Sequence, residues 1–358
     1  MTFTITDTAV FDGDDLLAGR HDVRVDGGTV TAVTPAGAVA PSGAVVDAAG
    51  ATLLPGLIDG HVHFQQPVDF SALLAGGVTS AADMASWPPE HLADLRSRSG
   101  GIVFTTPGAP LIGPAGPHSH MPGLSEAVID SPEAARREVA IRVAQGVDYI
   151  KLVLEAEGRG GPEPDAARAA VEAAHAAGLR VVAHASSVGA IALAVEIGVD
   201  ILTHAPLDGT VAAETIARIV EQGIVVVPTL IMMRTVAEAR GVPQAYANAR
   251  AFATAIHDAG VVIVAGSDAN SAPGSPAAVF HGTGARDETG LLVDAGLSPV
   301  EALRAATSTS AELYGFENRG VIRPGSVADL LLVNGDPTAD IAAVGDIRGV
   351  WLAGRRVS

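Results

Sequence analysis

The apolar positions of the chain fall into two regimes. Residues 3–10, 22–26, 29–33 and 44–47 are short runs in which apolar and polar side chains alternate, set apart by Gly, Asp and Pro. Period-two alternation over so few residues predicts small β-strands. From about Gly320 the pattern returns, with an apolar run at 328–333, a turn at Asn334-Gly335-Asp336-Pro337 and a second run at 349–352. Both ends of the chain are therefore predicted to be β-rich. Between them lie continuous β-branched runs at 57–63, 78–84, 102–106, 149–154, 181–184, 201–204, 224–230 and 261–268. Uninterrupted runs of this kind suit parallel strands covered on both faces. Ala-rich segments separate several of them at 133–145, 165–177, 187–197, 211–222 and 244–259, each stopped by a glycine. A last helix is predicted to open at Ser298-Pro299-Val300-Glu301, with Ser as cap, Pro in the first position and Glu completing a capping box.

Eight strands alternating with helices over about 260 residues predict an α/β fold, a (β/α)8 TIM barrel. The expected division is a barrel over residues 56–314 and a small β-sandwich domain built from both chain ends, residues 1–55 and 315–358. A doubly wound sheet is the alternative, but no glycine-rich phosphate loop opens one.

Composition then removes whole classes of function. The 358 residues include no cysteine, which excludes disulfides, thiolate metal sites and a cysteine nucleophile. A net charge of −18 repels phosphate backbones and anionic lipid, so neither nucleic acid nor membrane is an expected partner. Mean hydropathy is positive, +0.34, yet no apolar run approaches the ~20 residues of a spanning helix. The first residues, Met1 to Asp7, lack the basic and apolar regions of a signal peptide, and a soluble cytoplasmic protein is expected. The expected partner is a small-molecule substrate; self-association into a homo-oligomer stays open.

Of the 22 basic residues 21 are Arg and one is Lys. In a chain that uses Arg so consistently, Lys151 marks a position where Arg does not serve. Active sites of such barrels lie at the C-terminal ends of the strands. The first strand ends in His61-Val62-His63, a spacing that puts both imidazoles on one face. The fourth carries Lys151, the fifth ends in His184, the sixth in His204 and the eighth in Asp268. One histidine at a strand end is ordinarily a satisfied core residue. Four, in register with an Asp and the sole Lys, predict a metal site.

These residues bring a resemblance with them. The segment Pro55-Gly56-Leu57-Ile58-Asp59-Gly60-His61-Val62-His63 is similar to the first-strand motif of the amidohydrolase superfamily of metal-dependent hydrolases. Gly266-Ser267-Asp268 resembles its final-strand aspartate, and residues 320–330 (GVIRPGSVADL) resemble its return into the terminal sheet. Residues 146–151 (GVDYIK) and the stretch beginning Phe280-His281-Gly282 look closest to the imidazolonepropionase-like group that includes Xaa-Pro dipeptidases. The resemblance implies two divalent metal ions, with His61, His63 and Asp268 on the more buried one and His184 and His204 on the second. It implies Lys151 as a bridging carbamate formed with CO2, and a catalytic set of Asp268, Lys151 and His204. A guanidinium stays protonated and cannot form a carbamate, whereas a desolvated amine can. Zn2+ suits such ligands best, although Mn, Fe or Co would be accepted. The implied reaction is attack on an amide-type C–N bond by a water shared between the cations, with Asp268 as general base and then acid.

His118, His120, Arg234 and His281 are candidates for substrate contact, and Arg159 is expected to be solvated. The connection from Phe64 to Phe70 is expected to be short and the loop 107–123 long. Dipeptide, N-acyl amino acid, lactam and cyclic amide all fit as substrates, and an esterase or lactonase on the same site is an alternative. A mononuclear deaminase is a further alternative, but its H-x-x-E pattern is missing, since Ala185-Ser186-Ser187 follow His184. An imidazolonepropionase-type ring hydrolase leaves Lys151 without a role. A non-catalytic relative would have lost ligands, and none is lost.

Overall fold

The computed structural model describes residues 1–64, 70–270 and 277–358. Most of the expected short connection after the first central strand, residues 65–69, lies outside them. Five strands open the chain: β1 (Phe3–Val10), β2 (His21–Asp26), β3 (Thr29–Pro35), β4 (Ala44–Asp47) and β5 (Ala51–Pro55). Seven follow in the centre: β6 (Leu57–Val62), β7 (Val78–Asp83), β8 (Val103–Thr105), β9 (Ile150–Val153), β10 (Val181–His184), β11 (Ile201–Thr203) and β12 (Val225–Val227). The chain closes with β13 (Leu330–Asn334), β14 (Ile347–Leu352) and β15 (Arg355–Arg356).

The two chain ends share one sheet, in the order β15-β14-β13-β5-β1-β2-β3 with β4 beside β1. Its link between the termini is β13 against β5, antiparallel from Leu330↔Pro55 to Asn334↔Ala51. Alternate side chains of these strands, among them Ile5, Val23, Leu53, Leu330 and Trp351, bury together in a cluster of their own. The period-two runs read from the sequence have this physical basis.

The central strands are parallel and pair in chain order, β6-β7-β8 in one sheet and β9-β10-β11-β12 in another. They are short and almost wholly buried, as continuous apolar runs require. Single parallel bridges join the pieces: Leu111 to Leu152, Val226 to Ile263, and Ala269 to Val62. The eighth strand expected at 261–268 is not a regular strand. Its place between β12 and β6 is taken by those isolated bridges, because Gly266-Ser267-Asp268 bends and Asp268 turns to φ +55°. The seventh is also shorter than its apolar run, because a helix (Leu230–Ala239) starts within it.

The helices come where the pattern puts them, at Pro132–Ala144, Pro164–Ala176, Val188–Ile197, Ala213–Gln222 and Tyr246–Asp258. Gly198 ends the third of these in a left-handed conformation at φ +76°. The capping box at Ser298 is formed as expected. The helix Ser308–Tyr314 and Phe316 pack under the central strands, where Leu313, Tyr314 and Phe316 cluster with Ile58, Val182, Ile201 and Val264. Among the described residues no helix is long and apolar enough to cross a membrane.

Candidate metal centre

The C-terminal ends of β6, β10 and β11, with Lys151 inside β9 and the bend at Asp268, bring the chemistry together. Ligand atoms of His61, His204 and Asp268 all lie within 4.8 Å of one another, and all three residues are buried. Nε2 of His61 is 3.4 Å from Oδ1 of Asp268, and Nε2 of His63 is 3.0 Å from the same oxygen. The imidazole rings form a chain: His63 to His61 at 5.3 Å between centroids, His61 to His204 at 4.9 Å and His204 to His184 at 4.3 Å. Lys151 is buried, and its Nζ donates to Oγ1 of Thr203 at 3.0 Å. Thr203 in turn donates to the carbonyl of Ala183.

Close backbone packing makes this convergence possible. A β-carbon on Gly266 would stand 2.5 Å from Cγ1 of Val227 and 2.8 Å from Cβ of His61. Only glycine lets the bend lie against β6. Asp59 then ties the two together, accepting from the backbone of His61 at 3.3 Å and from the backbone and hydroxyl of Ser267 at 2.9 and 2.6 Å. Burial, partly offset by these bonds, pushes its carboxyl up to about 6. Three residues without a glycine's freedom adopt positive φ around the site: His204 at +78°, Thr229 at +48° and Asp268 at +55°. Such conformations persist where surrounding structure over-determines them, and they concentrate at functional sites.

The electrostatics suit cation binding. Burial, joined by repulsion from neighbouring cations, holds His61 and His184 well below the usual histidine range, and burial brings His204 down to about 3. All three are neutral at pH 7, the form a metal ligand must have. Burial opposes ionisation of Asp268, but the hydrogen bond from His63, joined by attraction to His204, His63 and Lys151 in their protonated forms, outweighs it and lowers its pKa. Burial also brings Lys151 down to about 7, although Asp268 and Asp83 pull the other way. Its free amine is accordingly well populated at neutral pH.

The donors present fit a divalent ion. Both ring nitrogens of His61 are buried without a hydrogen bond. Unsatisfied buried polar atoms are costly, and two imidazoles with a carboxylate at this spacing are a borderline-soft ligand set.

The other sequence candidates divide. His118 faces the site: its ring is 5.1 Å from that of His184, and its Nδ1 is 3.9 Å from Oε1 of Glu155. Burial pushes it down to about 4. Nε2 of His281 is 3.3 Å from the carbonyl of His63, with its ring 5.8 Å from that of Phe64. Arg234 is half-buried on the helix Leu230–Ala239, with Glu288 nearby. His120 and Arg159 are exposed. Asp59, Thr203, Thr229 and Glu288 were not singled out from the sequence. Asp59 stands inside the first-strand motif and could have been; the others carry no local signal.

Neutral imidazoles and a carboxylate of lowered pKa gathered along parallel strands give this α/β scaffold a candidate cation site. The amidohydrolase family profile matches residues 52–357, and the chain belongs to that family. It is a hydrolytic enzyme. It is 30% identical over 321 residues to an uncharacterized protein of Mycobacterium tuberculosis, with 80% of each chain covered. It is also 38% identical over 104 residues to an imidazolonepropionase of Deinococcus deserti, which covers 28% of this chain and 25% of that one. Its fold is similar to that of a Xaa-Pro dipeptidase with methionine bound in the active site, at a TM-score of 0.84 and 23% identity over 99% of both chains.

Proposed function

We propose that the chain is a binuclear metal-dependent hydrolase of an amide-type C–N bond in a small molecule: a dipeptide, N-acyl amino acid, lactam or cyclic amide. One observation carries the reading. Neutral buried imidazoles, an ionised Asp268 and a Lys151 amine of lowered pKa converge at adjoining strand ends. In this reading the parallel strands and residues 261–269 close into a (β/α)8 barrel over residues 56–314. Residues 1–55 and 315–358 form the β-sandwich domain beside it.

His61, His63 and Asp268 would hold one divalent ion and His184 with His204 the other, with Zn2+ the best match to these donors. Bound there, the ions would lower the pKa of water toward roughly 7 and polarise the scissile carbonyl. Lys151 would be suited to bridge them as a carbamate: its neutral nitrogen would bond to the carbon of CO2 and release a proton, leaving a carboxylate whose single negative charge is shared by two oxygens. Asp268 would take the proton of the attacking water and return it to the leaving nitrogen. Its lowered pKa keeps it ready to accept. His118 and His281 border the space in front of these groups and, with Arg234, would orient the substrate; His120, being exposed, would do so only if its loop folds inward.

Metal analysis with a substrate panel tests the reading. Protein purified with CO2 available is expected to carry close to two divalent ions per chain and to hydrolyse at least one of a set of dipeptides, N-acyl amino acids and lactams. Aryl esters in the same panel separate an esterase from an amidase. A fully metal-loaded preparation with no metal-dependent hydrolysis of any of them overturns it.

A further inference from the structure

Thr229 immediately precedes the helix Leu230–Ala239, yet its hydroxyl does not cap that helix. A threonine in this place ordinarily turns its oxygen onto the free N–H groups of the first turn. Here Oγ1 lies 2.9 Å from Nδ1 of His204 instead, with the backbone held at φ +48°. The N–H groups are met from elsewhere. Glu288, fully buried on the helix Thr283–Asp294, accepts from Leu230 through Oε1 at 2.9 Å and from Ile231 through Oε2 at 2.8 Å. Burial pushes this carboxyl up to about 8, while both N–H donors and the charge of Arg234 favour its ionised form. A carboxyl placed so deep, far along the chain from the donors it serves, is a costly way to cap a helix that already has a threonine at its start.

We propose that Glu288 is a positioning residue of the metal centre: by meeting the first N–H groups of the helix Leu230–Ala239 it frees the Thr229 hydroxyl to hold the ring of His204. The inference rests on the metal-hydrolase reading. An imidazole that binds a cation through one nitrogen is oriented by the partner of the other. Nδ1 of His204 also lies 3.7 Å from Oδ2 of Asp268, so the Thr229 contact fixes how the ring is turned toward that carboxylate; in the tautomer that donates from Nδ1 to Thr229, Nε2 keeps its lone pair for a cation. Without Glu288, two buried N–H groups would compete for the nearest hydroxyl, and the His204 ring would lose its anchor.

Zn2+ affinity of the full chain, measured by competition with a chelator, tests the proposal through Glu288→Gln, Thr229→Val, Thr229→Ser and the double variant Glu288→Gln/Thr229→Val. Glu288→Gln and Thr229→Val are each expected to weaken Zn2+ binding about ten- to a hundredfold. The double variant is expected to be no worse than the weaker single one, since both act through one contact. Thr229→Ser keeps the hydroxyl and is expected to bind as the unaltered chain does. Visible absorption of the Co2+-loaded proteins should shift in Glu288→Gln and Thr229→Val and stay unchanged in Thr229→Ser. A helix cap with no further role would lower the unfolding midpoint of the metal-free protein while leaving Zn2+ affinity and the Co2+ spectrum alone; that result overturns the proposal. So does Thr229→Val binding Zn2+ normally. If Glu288→Gln does not fold, Glu288→Asp, which keeps the carboxyl but shortens the reach, takes its place with the same readings. An unaltered chain that binds no divalent cation overturns the metal reading itself, before any variant is compared.

Discussion

Lys151 and Asp268 respond in opposite ways to the same buried surroundings. Burial drives the amine toward neutrality, while the contact with His63 outweighs burial and lowers the pKa of the Asp268 carboxyl. Lys151→Arg keeps a positive charge and approximate length, so a purely structural lysine would tolerate it. A guanidinium neither bonds to CO2 nor offers two anionic oxygens, and the variant is expected to lose one of two bound metals and nearly all activity. Metal content and turnover measured together check this, and an active Lys151→Arg carrying two metals rules out the carbamate. Asp268→Asn still offers an amide oxygen but cannot take a proton. It should keep most of its metal while turnover falls at least ~100-fold, as loss of a general base does; near-normal steady-state rates would move that role to another residue. The positions of the histidines, Lys151 and Asp268 were legible because strand ends recur at readable spacings. Thr229 and Glu288 were not, because their value lies in contacts across the chain, Thr229 with His204 25 positions away and Glu288 with Leu230 58 positions away.

At the scale of elements, local rules held wherever an element depends on its own residues. The helix Pro299–Ala305 shows this. The Ser298 hydroxyl accepts from the backbone of Glu301 at 3.2 Å, and Oε2 of Glu301 accepts from the backbone of Ser298 at 2.7 Å. Ser298→Ala should therefore cost about 1 kcal/mol. Hydrogen bonds from the Ser298 hydroxyl and then its backbone lower the pKa of Glu301. A lowered carboxylate pKa stabilises the fold above the ordinary glutamate value, and that contribution disappears as pH falls through the folded-state value. The gap in thermal midpoint between the unaltered chain and Ser298→Ala is thus expected to be widest near neutral pH and to narrow as the pH falls below the ordinary glutamate value of 4.5. A gap that does not change with pH would assign the cap to the serine alone. The eighth strand failed as an element for the converse reason. Residues 261–268 have the apolar run of a strand, but Asp59, Ser267 and the tight approach at Gly266 fix their path from outside.

For the whole molecule, metal and fold are expected to be linked, since a site built from segments far apart in sequence does not survive unfolding. At a free cation level a hundredfold above Kd, each site adds roughly 2.7 kcal/mol. At roughly 2 °C per kcal/mol for a chain of this size, chelation should lower the thermal midpoint by about 5 °C per ion lost. Calorimetry with and without chelator, then with Zn2+ restored, measures this; an unchanged midpoint would mean that the centre is unoccupied in solution. The sheet shared by the two chain ends belongs to this scale as well. Leu53 and Leu54 on β5 are fully buried, and β13 pairs with them from the far end of the chain.

What the sequence determined by itself was the α/β alternation, most strand and helix positions, the caps, and the residue types able to bind a cation. Each is written in local periodicity or in side-chain chemistry, and neither depends on distant partners. Tertiary structure alone decided that the eighth segment bends rather than pairs as a strand, and that His61, His204 and Asp268 come within reach of one ion. It also decided that Lys151 titrates near neutrality and that His204 answers to Thr229, which leans on Glu288. Burial and close contact set these properties, and both arise only when segments remote in sequence exclude water together.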